Sequence, residues 1–225
     1  WLLKSGLKVP ENLEVVDPAS TLVHVVKDGC WIGLLECQDE LRAESKSFVN
    51  FAKRQGREIA ILSGDRSKVV QSATLELGVQ NWEAELSPLD KAKKIEQWQG
   101  QKQLVLFVGD GMNDALSLTK ADVGVTLRSG TGLALETSDA VLMKNDLRHL
   151  AGLLQLSRET IKNIKQNLFW AFGYNFLSIP LAAGAFSAWG ISLNPELAAL
   201  AMALSSISVV SNALRLRTFQ IPSID

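Results

Sequence analysis

The strongest constraint on this chain is one junction, the stretch LVLFVGDGMNDALSLTKAD at residues 104–122. An apolar, β-branched run at 104–108 breaks into Gly109-Asp110-Gly111 and resumes as a helical pattern with Asn113 at its start. Such a pattern is a buried parallel strand emptying into a turn at a helix N-terminus. In an open α/β sheet ligands gather at the carboxyl ends of strands, and a helix start offers unpaired N–H groups to an anion. Gly109 and Gly111 permit a tight turn and a close approach to a ligand, while Asp110 and Asp114 supply the hard oxygen donors that Mg²⁺ prefers. A phosphate with its magnesium fits this turn. So does a plain βα turn in which Asp110 or Asn113 caps the helix.

The surrounding chain alternates helices and strands. Residues 41–55 form an amphipathic helix closed by Gly56, 58–62 a short strand followed by Ser63-Gly64-Asp65, and a further helix runs to Leu77 with Gly78 behind it. A strand near 82–86 leads to Ser87-Pro88 and a helix over 89–99; strands at 123–127 and 140–143 follow the central junction. This βαβα order predicts one parallel sheet covered on both faces, a Rossmann-like α/β domain over residues 37–150. Ser63 to Asp65, Lys91 and Gly109 to Asp114 then fall on one rim. There Ser63 can hold a phosphate oxygen, Lys91 can neutralise charge and Asp110 can hold Mg²⁺. Ahead of this domain, residues 1–36 read as a short helix, a loop and a hairpin turning at Asp28-Gly29, too little to bury a core alone. The nearest candidate nucleophile is Asp17, which ends an apolar run but precedes Pro18, as a plain turn does.

The last third is of another kind. Residues 167–189 carry no charge, and 196–214 carry none after Glu196; each matches the roughly 20 residues needed to span a bilayer. Arg158, Lys162 and Lys165 flank this pair on one side and Arg215 and Arg217 on the other, and the loop between has no Lys or Arg. The positive-inside rule therefore puts both ends of the hairpin, and the α/β domain with them, in the cytoplasm. The rival is a buried helical hairpin of a soluble protein. Tyr174 and Asn175 in the first span, and Met202, Ser205, Ser206 and Asn212 in the second, suit hydrogen bonding between helices. Met202 and Ser206 share one helix face, and a thioether beside an amide and a phenol also suits a soft monovalent metal such as Cu(I).

Composition excludes little else. Across 225 residues the net charge is −1, so neither a broad basic surface for nucleic acid nor an acidic tail is present. Cys30, Cys37, His24 and His149 are isolated and carry no metal-ligand spacing. The start, Trp1-Leu2-Leu3, reads as an interior segment with no signal peptide.

GDGMNDALSLTKADVGVTL, GTGLALETSDAVLMKNDL, SRETIKNIKQNLFWAFGYN and MALSSISVVSNALRLR occur in that order. With them the chain resembles, over nearly its whole length, the C-terminal part of copper-transporting P-type ATPases of the heavy-metal class, members of the haloacid dehalogenase-like superfamily. The resemblance implies a phosphorylation domain followed by a linker helix and a two-helix transmembrane hairpin over 151–225, with residues 1–36 the trailing part of a nucleotide-binding domain. It implies that Asp110 and Asp114 belong to the magnesium motif, that Asn113 and Lys91 contact the phosphoryl group, and that Ser63-Gly64-Asp65 stands where the family usually has Thr-Gly-Asp. Tyr174, Asn175, Met202 and Ser206 fall where the copper class places membrane metal ligands. The lysine and aspartate of zinc and cadmium relatives are absent from these spans.

Two departures qualify the match. Ala115-Leu116 stands where the family has Ala-Pro, and the Asp-Lys-Thr-Gly-Thr segment, the Cys-Pro-Cys span and the actuator domain are not in this sequence. The implied activity therefore belongs to an intact assembly, in which ATP phosphorylates an aspartate with Mg²⁺ and drives Cu(I) across a membrane. This chain is then expected to be one piece, partnered by a missing N-terminal part. A membrane-tethered phosphatase of the same superfamily and a non-catalytic partner of a split pump are the alternatives.

Overall fold

The computed structural model describes residues 20–37, 40–109, 112–128, 132–185, 195–221 and 223–224. They fall into two compact units, residues 148–223 and the remainder.

The first unit opens with an antiparallel hairpin, β1 (Thr21–Lys27) and β2 (Cys30–Cys37). Asp28 and Gly29 both take positive φ, 49° and 75°, the two left-handed residues that a tight hairpin turn matching the strand twist requires. Arg66 donates to the Ser20 carbonyl at 2.7 Å and so ties the base of the hairpin to the α/β elements.

Those elements are α1 (Ala43–Arg54), β3 (Ala60–Leu62), α2 (Ser67–Leu77), β4 (Asn81–Glu83), α3 (Pro88–Gly100), β5 (Leu106–Gly109), α4 (Ala115–Lys120), β6 (Val123–Leu127), α5 (Gly132–Thr137) and β7 (Ala140–Leu142). Local chemistry sets their limits. Gly78, at φ 66°, closes α2 with its N–H on the Leu75 carbonyl. Ser87 caps α3 by accepting from the Asp90 N–H, with Pro88 at the first helical position. The core gathers Val49 and Ala52 of α1, Val70 of α2, Ile95 of α3, Leu118 of α4 and Val125 of β6, all buried.

All strand pairs after the hairpin are parallel, but the expected single sheet is divided. Among the described residues β3 pairs with β4, and β5, β6 and β7 form a separate ladder in that order. Alternation of helices and strands dictates parallel pairing without dictating which strands are neighbours. The helix expected to begin at Asn113 also begins later. A 3-10 turn, Met112–Asp114, precedes α4, so Asn113 and Asp114 sit on a tighter turn than an α-helix provides.

The second unit is a pair of helices, α6 (Arg148–Ala182) and α7 (Pro195–Leu214). The polar helix and the apolar stretch that follows it are one continuous element of 35 residues, ~50 Å long at the α-helical rise. Gly152 lies against Ile221, where an added Cβ would meet the isoleucine Cγ2 at 3.1 Å. Three amides pin the pair. The buried Asn163 donates to the Asn212 carbonyl at 2.6 Å, Asn212 donates to Asn167 Oδ1 at 2.9 Å, and Asn167 donates to Asn163 Oδ1 at 3.1 Å.

The two expected spans thus appear as helices. Among the described residues, however, no helix is long and apolar enough to cross a membrane. The apolar part of α6 is interrupted by Tyr174, Asn175 and Pro180, and residues 186–194, which include the end of the first expected span and the loop after it, lie outside the described residues.

Candidate functional site

The rim where β3, β4 and β5 end is held together by direct contacts. Lys91, in the first turn of α3, places its Nζ 2.9 Å from Asp114 Oδ1, and both side chains are mostly buried, at 12% and 15% exposure. Asp114 in turn lies over the end of β5. A Cβ at Gly109 would come within 2.8 to 2.9 Å of the Asp114 Cβ, Cγ and Oδ2, so only glycine leaves room for this carboxylate. Thr126, fully buried on β6, donates to the Gly109 carbonyl at 2.7 Å and fixes the end of the strand. Gly109, Asp114 and Lys91 therefore form one contact chain, joining the end of β5 to α3.

Ser63, Gly64 and Asp65, at the end of β3, are held by the loop before α3, and none of the described hydrogen bonds joins them to Lys91 or Asp114. The Ser63 N–H and carbonyl pair with Glu83 and Leu86, and the Asp65 carbonyl accepts from Glu85. Gly64 passes so close that an added Cβ would sit 3.3 Å from the Leu86 carbonyl. The Ser63 hydroxyl donates to Asp65 Oδ2 at 2.7 Å and accepts the Asp65 N–H at 3.1 Å, which shapes a turn at the strand end. Glu85, at φ 58°, takes both the hydroxyl and the N–H of Ser67 at the start of α2. Those two hydrogen bonds, the hydroxyl first, hold its carboxyl below the usual glutamate range.

Behind the site, Asp122 accepts from the Val105 N–H at 2.8 Å and from the Gln99 amide at 3.2 Å, joining α3 to the base of β5. The Val105 bond, then the Gln99 bond, lower its pKa. Asn113 is exposed beside Asp114. Asp110, Gly111 and the candidate nucleophile Asp17 lie outside the described residues.

The donor set suits a hard cation. Mg²⁺ keeps several waters and takes one or two carboxylates rather than an all-protein cage. Asp114 offers a carboxylate oriented by Lys91, and among the described residues no cluster of three or more His, Cys, Asp or Glu forms a cage of the kind zinc takes.

Of the four residues expected to take copper, Tyr174 and Asn175 lie on α6 and Met202 and Ser206 on α7. Tyr174 is half-buried against Trp170, with ring centroids 6.5 Å apart. Asn175 gives its amide to the Ala171 carbonyl of its own helix at 3.0 Å, and Met202 and Ser206 are exposed. None of the described hydrogen bonds joins one pair to the other. Sequence reasoning named Asn212 but missed its partners Asn163 and Asn167, and it missed Thr126 and Glu85. A hydroxyl or amide within an element carries no periodic signal of its partner.

The haloacid dehalogenase-like hydrolase family matches residues 9–122. Copper-exporting P-type ATPase B of Archaeoglobus fulgidus is 40% identical over 96% of this chain, and the match covers 31% of that protein. The copper-transporting ATPase of Helicobacter felis is 45% identical over 83% of this chain and 25% of its own length. In three dimensions the chain is similar to a zinc-transporting PIB-type ATPase in its E2.Pi state, with a TM-score of 0.73 and 34% identity over 88% of this chain and 32% of that one. The chain spans about a third or less of the length of these relatives. On this basis it belongs to the haloacid dehalogenase-like hydrolases, and over most of its length it is homologous to the copper-transporting P-type ATPases of the P1B class.

Proposed function

We propose that the chain is the C-terminal portion of an ATP-driven pump that moves Cu(I) across a membrane, with residues 37–150 acting in its phosphorylation step. The observation that carries this reading is the Lys91–Asp114 pair seated over Gly109 at the end of β5. Phosphoryl transfer needs little covalent chemistry from the protein, so positioning and charge compensation do most of the work. Lys91 neutralises an incoming phosphate, and Asp114, with Asp110, holds the metal. Asn113 and the Ser63 hydroxyl hydrogen-bond the phosphoryl oxygens. Bound Mg²⁺ supplies a Lewis acid that offsets charge on the transferred group.

The phosphorylated aspartate comes from a segment that this chain does not contain. β3 and β5 each end a ladder, and a parallel strand supplied between them would join the two into one sheet and deliver its last residue to the Lys91–Asp114 rim. The β1–β2 hairpin exposes Val23, Val26, Ile32 and Leu35, and a two-stranded hairpin is marginal by itself. The same missing part, the rest of a nucleotide-binding domain, covers it.

The second half of α6 and all of α7 lie in lipid. Their exposed side chains support this, Phe172, Phe176, Leu177 and Ile179 on α6 and Met202 and Ile207 on α7. Lys and Arg are confined to one end, which with the α/β domain faces the cytoplasm. Tyr174, Asn175, Met202 and Ser206 take the copper ion when the other membrane helices are in place, and the thioether of Met202 favours Cu(I). The test is to express the chain together with an N-terminal half carrying the aspartate and to measure acid-stable phosphoenzyme and Cu(I) uptake into vesicles. Asp114→Ala is expected to abolish phosphoenzyme formation, and Met202→Ala to lower Cu(I) affinity while leaving the protein folded. Full phosphorylation in Asp114→Ala sinks the site assignment.

A further inference from the structure

We infer that a groove between the charged ends of α6 and α7 binds the phosphate-bearing headgroup of an anionic phospholipid. The inference rests on the reading of these two helices as membrane helices. The groove is open and about 730 Å³ in volume, lined by Arg158, Lys162, Lys165, Phe169 and Trp170 of α6 and by Arg215 just past α7. The α6 residues recur at the spacing of one helix face, so the three cations stack over about two turns, ~10 Å. The aromatic pair lies directly beyond them.

Each part has a counterpart in a phospholipid at a bilayer surface. Arg215 reaches Gln166 on α6 at 2.9 Å, which holds its guanidinium at the level of the lysines, and its planar fork suits a phosphate. Lys162 meets Glu159 at 3.7 Å, but the pair is exposed, at 61% and 46%, and such surface pairs contribute little. Lys162, Lys165 and Arg215 face this one carboxylate among the described lining and its ion pairs, which leaves the groove positive. Phe169 and Trp170 are 69% and 49% exposed with rings packed edge to face at 5.6 Å, and aromatic side chains of this kind sit where headgroups meet acyl chains. A soluble acidic peptide matches the cations and has no use for the apolar border. A lipid with a negative headgroup matches both.

The experiment uses the full chain in nanodiscs of phosphatidylcholine and phosphatidylglycerol at four to one, with lipids retained on the protein read by native mass spectrometry. Retained phosphatidylglycerol is expected to exceed its share of the bilayer. In Lys162→Gln/Lys165→Gln retained phosphatidylglycerol is expected to fall back to its share of the bilayer. A control pair, Lys68→Gln/Lys93→Gln, removes the same charge from residues that do not line the groove and is expected to change nothing. Equal enrichment in wild type and groove variant overturns the inference, as does an equal fall in the control pair. If 10 mM inorganic phosphate strips the lipid, the ligand is a soluble anion and the lipid assignment is wrong. Alkaline carbonate extraction separates the two levels. A chain that stays in vesicles with unselective lipid loses this inference alone, and a chain washed off loses the membrane reading with it.

Discussion

Lys91 and Asp114 stand 23 positions apart in sequence and meet at 2.9 Å, each mostly withdrawn from solvent, and through them α3 is fastened to the turn that follows β5. Removing the lysine deprives a largely buried carboxylate of its counter-charge, whereas removing the aspartate deprives the site of its metal ligand. Lys91→Ala is therefore expected to cost about 1–3 kcal/mol in urea unfolding of the solubilised chain in EDTA. Millimolar MgCl₂ is expected to restore part of that loss, because a divalent cation can replace the missing ammonium beside Asp114. Asp114→Ala is expected to gain nothing from magnesium. An equal magnesium response in both variants refutes the assignment of the metal to this carboxylate.

Two glycines of the same unit differ in what an added methyl would meet. A Cβ at Gly109 meets the Asp114 Cβ at 2.8 Å, which moves only with the short turn that carries it, while a Cβ at Gly124 meets the Leu118 carbonyl oxygen at 2.5 Å, within a helix. Gly109→Ala is expected to fold with a loss of about 1–3 kcal/mol and to lose its magnesium response. Gly124→Ala is expected to be the worse of the two, with little soluble folded protein. Thermal unfolding and recovery after purification rank them. The reverse order shows that the turn carrying Asp114 yields less than the Leu118 backbone does.

The amides of Asn163, Asn167 and Asn212 form a closed set between α6 and α7. A double-mutant cycle on Asn167→Ala and Asn212→Ala is expected to give a coupling of about 0.6 kcal/mol, with about 1.7 as the upper end for interhelical bonds in membranes. The cycle is read by reversible unfolding in mixed micelles. A coupling of zero implies that the two amides meet other partners in lipid.

Much of this was written in the sequence, and the exceptions share a cause. The hairpin turn at Asp28-Gly29, the Gly78 cap and the Ser87-Pro88 start are fixed by backbone chemistry within a few residues, and they occur where that chemistry puts them. The division of the sheet was not legible, because which strands neighbour each other is decided by side-chain packing far apart in sequence. The rim was legible as residue types and not as contacts. Gly109 reads as a turn glycine, yet what requires it is the Asp114 side chain lying against it. Ser63 reads as a phosphate-binding hydroxyl, and its first partner is Asp65 two residues on. The Asn163 partnership with Asn212 was hidden for a similar reason, since an asparagine in a polar helix looks the same whether it faces water or another helix.

Acid tests the brace behind the site. Asp122 is held below the ordinary aspartate range by the Val105 N–H and then by the Gln99 amide, and the unfolded chain lacks both bonds. A carboxyl with a lowered folded pKa contributes stability that is present above the unfolded value, about 3.9, and is lost as pH falls through the lower folded value. Glu85 and Asp90 are lowered in the same direction by the hydroxyls of Ser67 and Ser87, so the wild-type chain is expected to lose stability on the acid side of pH 4. Asp122→Asn keeps an acceptor for Val105 and removes the charge. It is expected to be the less stable protein at neutral pH, with the gap to wild type closing as the pH drops below the aspartate range. The measurement is a series of urea unfolding curves from pH 7 to pH 3. A gap that stays constant across that range means that the Asp122 charge contributes nothing to holding β5, and that the brace is a matter of shape alone.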